Sequence, residues 1–111
     1  MSRVAVDFDG TLDLSPEEQF PYCSKPNKEL FKVLIERQKQ GDKIILNTLR
    51  ENIKLDMAIA FCKYNGLEFD KINDNLEEDI NLWGENTRKI SADIYIDDRN
   101  KSIEEYIKEN K

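Results

Sequence analysis

The chain has 111 residues, of which 39% are hydrophobic and 36% are charged. This length suits one domain with a single hydrophobic core and leaves no room for a second core. Its 23 acidic and 17 basic residues give a net charge of −6, so we expect neither nucleic acid nor an anionic membrane as a partner. No apolar run approaches the roughly 18 residues that a membrane-spanning helix needs.

The cysteines, the N-terminus and the absence of histidine constrain the compartment and the chemistry. Cys23 and Cys62 are too few for a zinc cluster and are expected to be free thiols in a reducing cytoplasm. A predicted strand begins within the first residues and leaves no space for a signal peptide, which also favours the cytoplasm. Histidine is absent, which excludes serine–histidine and cysteine–histidine nucleophile systems. Acid–base chemistry would therefore need carboxylates, lysines or tyrosines.

The first predicted element is a buried strand at residues 4–6, which ends in a pair of aspartates. On an extended chain the side chains of Asp7 and Asp9 point to one face, with Phe8 on the other. Ligands of open α/β sheets bind at the carboxyl ends of the strands. Two carboxylates beside Gly10, which lets a ligand approach the backbone, suit a hard cation and a phosphate.

A flap, a helix and a second strand are predicted next. Three prolines between residues 13 and 26 indicate a loop or short flap at about 13–25. A helix is predicted from Asn27, with apolar side chains at helical spacing, and Gly41 closes it. The second apolar strand covers residues 43–48 and ends in the hydroxyl residue Thr48.

A second helix is predicted at residues 51–65, with Gly66 as its stop. Its expected buried stripe consists of Ile53, Met57, Ala60, Phe61 and Tyr64. The stripe predicts that Phe61 and Tyr64 belong to the core.

The remaining patterns predict a third strand at 69–72, a fourth strand at 93–97 and a final helix at 102–109. Shorter helical turns are expected at 75–83 and 87–91. Strands that alternate with helices favour a parallel sheet with right-handed crossovers. The sequence therefore predicts an α/β fold.

Four motifs resemble, in order, the signature of the haloacid dehalogenase (HAD) superfamily. They are Asp7–Phe8–Asp9–Gly10–Thr11, Thr48 at a strand end, Lys89, and Asp97–Asp98 after the fourth strand. The resemblance spans residues 4–98. It implies a single-domain Rossmann-like three-layer sandwich with a central, mainly parallel sheet. The gaps between the motifs are too short for a folded cap, so the chain resembles a small capless phosphatase-type member, with residues 1–111 as a single domain.

The resemblance implies a Mg²⁺-dependent phosphomonoester hydrolase that forms an aspartyl-phosphate. Asp7 would be the nucleophile, and Asp9 would protonate the leaving oxygen and then deprotonate water. Asp7, the backbone carbonyl of Asp9, and Asp97 would be the protein ligands of Mg²⁺, which relieves the repulsion between carboxylate and phosphate. Asp98 would lie in the outer shell of the metal.

Two implied roles have alternatives. Thr48 would donate a hydrogen bond to a phosphate oxygen, but Thr48 to Glu51 is also a capping-box pattern that predicts a helix cap. Lys89 would offset charge on the phosphoryl group, and its neighbour Arg88 could take that role.

Arg50 and Asn73 are predicted near the same sheet edge. They are candidates for outer-shell or substrate contacts, and ordinary loop roles are equally open. The expected partner is a phosphorylated small molecule, and the oligomeric state is open.

Other functional classes compete with the hydrolase. A phosphoacceptor module such as a response-regulator receiver also combines a Rossmann-like sheet, Mg²⁺, a phosphorylated aspartate, a threonine and a lysine. Receivers lack a carboxylate two residues after the phosphorylated aspartate, so Asp9 favours the hydrolase. A phosphate-binding protein of this fold with little turnover, and a phosphatase of nucleic-acid ends, are the remaining alternatives.

Overall fold

The chain folds around a parallel sheet of four strands, and a computed structural model describes residues 1–74, 76–77, 80, 90–97 and 103–110. The strands are β1 (Arg3–Val6), β2 (Lys43–Leu46), β3 (Lys71–Ile72) and β4 (Ile94–Ile96). Their order across the sheet is β3-β2-β1-β4, and each neighbouring pair is parallel. Strand β1 therefore lies inside the sheet, with a partner on each side.

Helices alternate with the strands, as the patterns predicted. The described helices are α1 (Lys28–Lys39), α2 (Asn52–Tyr64) and α3 (Ile103–Asn110). Helix α1 is capped by Asn27, whose side chain accepts a 3.3 Å hydrogen bond from the amide of Leu30. The chain leaves α1 through Gly41, whose φ of 107° is strained for a residue with a side chain.

The core lies between one face of the sheet and the described helices. Val4 is in register with Ile44 of β2 and Ile94 of β4, and the three side chains share that face. Buried side chains from the three helices pack with them, among them Leu30, Leu34, Ala58, Cys62 and Tyr106. Ala5 and Ile45 point to the opposite face and are buried as well, so both faces of the sheet are covered. The fold is the predicted α/β, Rossmann-like one.

The stripe predicted for the buried side of α2 is confirmed at Phe61, which packs against the core, but is wrong at Ile53 and Tyr64. Ile53 is 75% exposed and Tyr64 is 91% exposed, whereas Ala58 faces the core. Apolar residues lie on most sides of this helix, so their spacing does not select one face. Tertiary contacts select it instead, because the Phe61 ring packs edge-on against Phe8 with 6.0 Å between centroids.

Other elements differ from the prediction mainly in their bounds. Strand β3 has two residues, whereas residues 69–72 were predicted, and β2 ends two residues before Thr48. Within the helical turn predicted at 75–83, the described residues Glu77 and Ile80 are helical, and the amide of Ile80 donates to the carbonyl of Leu76 at 3.0 Å. Most of the turn predicted at 87–91 lies outside the described residues, and residues 90 and 91 are not helical.

Both cysteines are free thiols, as predicted. Burial raises the pKa of Cys62 to about 12, so this thiol stays protonated and inert at neutral pH. Within the described ranges, none of the helices combines the length and the apolar character needed to cross a membrane.

Candidate functional site

A row of polar residues stands where the strands end. In sheet order the row is Asn73, Asn47, Asp7 and Asp97. The amide of Asp7 donates to the carbonyl of Ile96 at 3.2 Å, and the amide of Asn47 donates to the carbonyl of Val6 at 2.9 Å. Neighbouring strands lie about 4.8 Å apart, so Asp7 has Asp97 on one side and Asn47 on the other. The sheet edge thus places the aspartates of the first and last motifs side by side.

Asp7 and Asp97 are both half-buried at this edge. One oxygen of the Asp7 carboxylate accepts a 2.8 Å hydrogen bond from the amide of Phe8, which orients the carboxylate at the end of the strand. Two carboxylates on neighbouring strands repel each other, and a hard cation between them relieves that repulsion.

The donors present fit a magnesium ion. The described residues form no cluster of three acidic or thiol side chains that could hold a metal. The implied ligand set needs only the carboxylates of Asp7 and Asp97, because its third protein ligand is the backbone carbonyl of Asp9. That carbonyl accepts no hydrogen bond from another described residue, and an all-oxygen set is what Mg²⁺ prefers. Three predicted site residues lie outside the described ranges, namely Lys89, its alternative Arg88, and Asp98.

The carboxylate of Asp9 is paired with the guanidinium of Arg50. Nη2 of Arg50 donates to Oδ1 at 2.7 Å, and Nε donates to Oδ2 at 2.9 Å. Such a bidentate fork fixes the orientation of the carboxylate and strengthens the ion pair. The side chain of Asp9 is 46% exposed and that of Arg50 is 3% exposed. Asp9 therefore stands at the mouth of the site, held by a buried cation.

The same guanidinium joins the flap to α2. Nη1 of Arg50 donates to the carbonyl of Pro21 at 3.0 Å and to that of Lys54 at 3.1 Å. Its Cζ lies 4.8 Å from the ring centroids of both Phe8 and Phe20, within cation–π range. The hydrogen bond to the paired carboxylate, opposed by burial, raises the pKa of Arg50 above its usual range. Arg50 was a candidate for an outer-shell or substrate contact, with an ordinary loop role open as well, and in the structure its guanidinium is hydrogen-bonded to protein groups.

Thr48 is oriented by two contacts after β2. Its amide donates to Oδ1 of Asn73 at 2.8 Å, and its hydroxyl oxygen accepts from the amide of Arg50 at 3.2 Å. The capping box is absent, because α2 begins at Asn52 and the side chain of Glu51 makes no capping hydrogen bond. A hydroxyl that accepts one bond still has a hydrogen to donate, so Thr48 can donate to a phosphate oxygen.

Asn73 braces the loop that carries Thr48. Its φ is 52°, in the left-handed region that asparagine tolerates better than most residues. Its amide donates to the carbonyl of Leu46 at 2.7 Å, and its side-chain oxygen is the acceptor for Thr48. The side-chain oxygen of Asn73 is therefore bonded within the protein, to the loop that carries Thr48.

The predicted flap is closed at its base by Asp13, a residue that the sequence analysis missed. Asp13 is 3% exposed, and its Oδ1 accepts from the hydroxyl and the amide of Ser15 at 2.6 and 3.1 Å. The amide of Leu14 donates to the carbonyl of Lys25 at 2.7 Å and joins the two ends of the flap. The flap contains one turn of 3-10 helix and no folded cap. The Asp-x-Ser pattern, typical of an Asx turn, was the available signal for Asp13.

Two clefts lie beside Asp9, and Phe20 lines both of them. The first, here called the α2 cleft, has a volume of about 450 Å³. Its walls include Asp9, Phe20, Leu49, Ile53 and Lys54. The second, the flap cleft, has a volume of about 500 Å³. Its walls include Asp9, Asp13, Glu17, Phe20 and Tyr22. Both volumes are within the range of small-molecule sites.

Comparison with known proteins gives one informative relative. No protein-family model matches the chain, and no curated protein matches it. A solved structure of a conserved protein from Bacteroides thetaiotaomicron is similar, with a TM-score of 0.72 and 36% sequence identity. The similarity covers 89% of this chain and 77% of that one.

Proposed function

We propose that this chain, which belongs to the same family as the conserved protein from Bacteroides thetaiotaomicron, is a HAD-type Mg²⁺-dependent phosphomonoester hydrolase. The observation that carries the proposal is the position of Asp7 at the carboxyl end of the inner strand β1. Asp97 directly follows the neighbouring strand β4, and Asp9 lies two residues after Asp7. This arrangement supplies a nucleophile, a cation site and an acid–base carboxylate from two strand ends.

Phosphate can be bound by groups at the same edge. The amides of Asp9 and Leu49 donate to no other described residue, and the hydroxyl of Thr48 has a hydrogen available. Oriented amides and a hydroxyl form a cradle that favours an anion. The proposal also places Lys89, or Arg88, and the outer-shell Asp98 here on the strength of the sequence resemblance.

The proposed reaction has two steps, transfer of the phosphoryl group to Asp7 and hydrolysis of the aspartyl-phosphate. An oxygen of Asp7 forms a bond to phosphorus while the bond from phosphorus to the leaving oxygen breaks, and Asp9 gives that oxygen a proton. Water then attacks the phosphoryl group of the aspartyl-phosphate, and Asp9 takes its proton. Inorganic phosphate leaves and the Asp7 carboxylate is restored. Mg²⁺ bound by Asp7, Asp97 and the carbonyl of Asp9 would neutralise charge between carboxylate and phosphate.

The pairing with Arg50 is compatible with both roles of Asp9. A carboxylate has lone pairs beyond those used by the fork, so an ionised Asp9 can accept a proton from water while Arg50 holds it. When one oxygen of Asp9 is protonated, the hydrogen bond from Arg50 to that oxygen is lost and the other remains. The guanidinium therefore keeps Asp9 in position through the cycle.

The test is phosphate release from a panel of phosphomonoesters with Mg²⁺, comparing the wild type with Asp7→Asn. An amide does not form an acyl phosphate, so we expect release to fall at least a thousandfold. Asp56→Asn, which changes an exposed aspartate of α2, is the matched control and should retain wild-type release. Wild-type turnover in Asp7→Asn would refute the mechanism.

Acetyl phosphate and phosphorylated nucleic-acid ends, added to this panel, separate the competing functional classes. A phosphoacceptor module would accumulate phosphate on Asp7 from acetyl phosphate with little release. A phosphatase of nucleic-acid ends would prefer phosphorylated DNA or RNA ends, with a steep loss of activity as salt rises. The net charge of −6 favours a small phosphorylated molecule instead. The two free thiols favour a cytoplasmic location.

A further inference from the structure

Exposed apolar side chains are concentrated around Asp9. Leu49 is 99% exposed, Ile53 is 75% exposed and Phe20 is 50% exposed. All three line the α2 cleft, and none of them belongs to the hydrophobic core. Folding alone gives no reason for three large apolar side chains at the mouth of a polar site, and such a concentration is typical of a ligand surface.

The α2 cleft and the flap cleft differ in charge. Two acidic and two basic side chains line the α2 cleft, with Lys54 and Arg50 as the basic pair. Three acidic side chains and only Arg50 line the flap cleft. A phosphate ester carries negative charge, so the acidic flap cleft repels it and the α2 cleft does not.

Phe20 is held with part of its ring exposed to the α2 cleft. The Cζ of Arg50 lies 4.8 Å from the ring centroid and the ammonium of Lys54 lies 5.3 Å from it. These cations fix the ring without covering it, since half of the residue remains exposed. A fixed, exposed aromatic ring favours a planar partner that can stack or pack edge-on against it.

We propose that the α2 cleft binds the leaving group of the substrate, and that this group carries an aromatic ring. The inference rests on the proposed hydrolase function, because Asp9 both protonates the leaving oxygen and forms a wall of this cleft. The ring would pack against Phe20, and Leu49 and Ile53 supply further apolar surface in the same cleft. A polyhydroxylated leaving group binds poorly there, because its hydroxyls lose water against three apolar side chains.

The first test compares three phosphomonoesters whose leaving groups are all unactivated alcohols, so that leaving-group chemistry does not mask binding. They are benzyl, cyclohexylmethyl and ethyl phosphate. We expect kcat/KM for benzyl phosphate to exceed that for ethyl phosphate about tenfold, from partial burial of one ring. Cyclohexylmethyl phosphate should fall between them. A value for cyclohexylmethyl phosphate equal to or above that for benzyl phosphate would overturn the aromatic assignment.

The second test locates the effect in the cleft. Phe20→Ala, and separately Leu49→Ser with Ile53→Ser, should lower the ratio of benzyl to ethyl kcat/KM to about threefold or less. Tyr64→Ser is the matched control, because Tyr64 is 91% exposed on the same helix but lies outside the walls of both clefts. The ratio should be unchanged in this control. An unchanged ratio in both cleft variants would refute the location.

Binding of benzylphosphonate and ethylphosphonate, measured by calorimetry with Mg²⁺, separates this inference from the proposed function. These analogues are not hydrolysed. Tighter binding of benzylphosphonate without turnover of any ester would support the cleft and refute the hydrolase. Turnover of all three esters at similar kcat/KM would support the hydrolase and refute the cleft. Absence of both binding and turnover would refute both.

Discussion

Replacing Arg50 with alanine is expected to destabilise the fold and also to remove the ion pair that holds the side chain of Asp9. The hydrogen bonds from Arg50 to the carbonyls of Pro21 and Lys54 are lost, at about 1 kcal/mol each. The two ring contacts add about 0.5 kcal/mol each. The ion pair adds little, because Asp9 is 46% exposed and water can solvate its carboxylate. Together these effects lower the free energy of unfolding by about 3 kcal/mol.

The assay is urea unfolding followed by circular dichroism, with Arg50→Ala, Asp9→Ala and the double variant arranged as a cycle. The cycle isolates the pair, for which we expect a coupling energy of about 0.5 kcal/mol or less. Arg50→Lys keeps the charge but not the fork, and should recover less than half of the lost stability. Lys32→Ala, which removes an exposed cation of α1, is the control and should stay within about 0.5 kcal/mol of wild type.

Turnover provides a readout that a purely structural role of Arg50 would not move. If Arg50 positions Asp9, Arg50→Lys should lose far more activity on benzyl phosphate than on p-nitrophenyl phosphate, which also carries an aromatic ring but whose leaving group needs little protonation. Equal losses on both esters, or a stability loss below 1 kcal/mol in Arg50→Ala, would refute the reasoning.

Three further perturbations test other parts of the structure. Asp9→Asn should lose turnover but keep its Mg²⁺ affinity in calorimetry, because the implied metal contact uses the backbone carbonyl of residue 9. Asp97→Asn should lose Mg²⁺ affinity. The reverse result would contradict this division of roles. Asn73→Ala should lower the free energy of unfolding by about 2 kcal/mol, because the acceptor for Thr48 is lost and alanine is strained at this positive φ. Asn73→Gly should lower it by less, because glycine adopts this backbone conformation without strain. Burial alone would raise the pKa of Asp42, but hydrogen bonds from Arg37 and a backbone amide outweigh it and lower the pKa below its ordinary 3.8. Ionised Asp42 therefore stabilises the fold. The difference in urea midpoint between wild type and Asp42→Asn should be largest at neutral pH and should shrink as the pH falls below 3.8. A difference that does not change with pH would contradict this prediction.

The sequence by itself determined the elements whose signals are local. Residues 4–6 are apolar β-formers that end in Asp7, and this pattern needs no distant partner to indicate a strand with a carboxylate at its end. Asn27 and Gly41 likewise bound α1 through short-range hydrogen bonds and backbone conformation. The alternation of strands and helices also predicts that Asp7 and Asp97 lie at the same edge of a parallel sheet. That they are neighbours there depends on the strand order, which places β4 beside β1.

Only the tertiary structure decided which surface of α2 is buried and what holds Asp9. The helix is apolar on most sides, so its orientation depends on the contact between Phe61 and Phe8, which lie far apart in the sequence. The fork between Arg50 and Asp9 joins residues 41 positions apart, and it requires the turn at Thr48 that replaces the predicted capping box. Local patterns record the period and the ends of an element, whereas pairings across the fold depend on which side chains packing brings together.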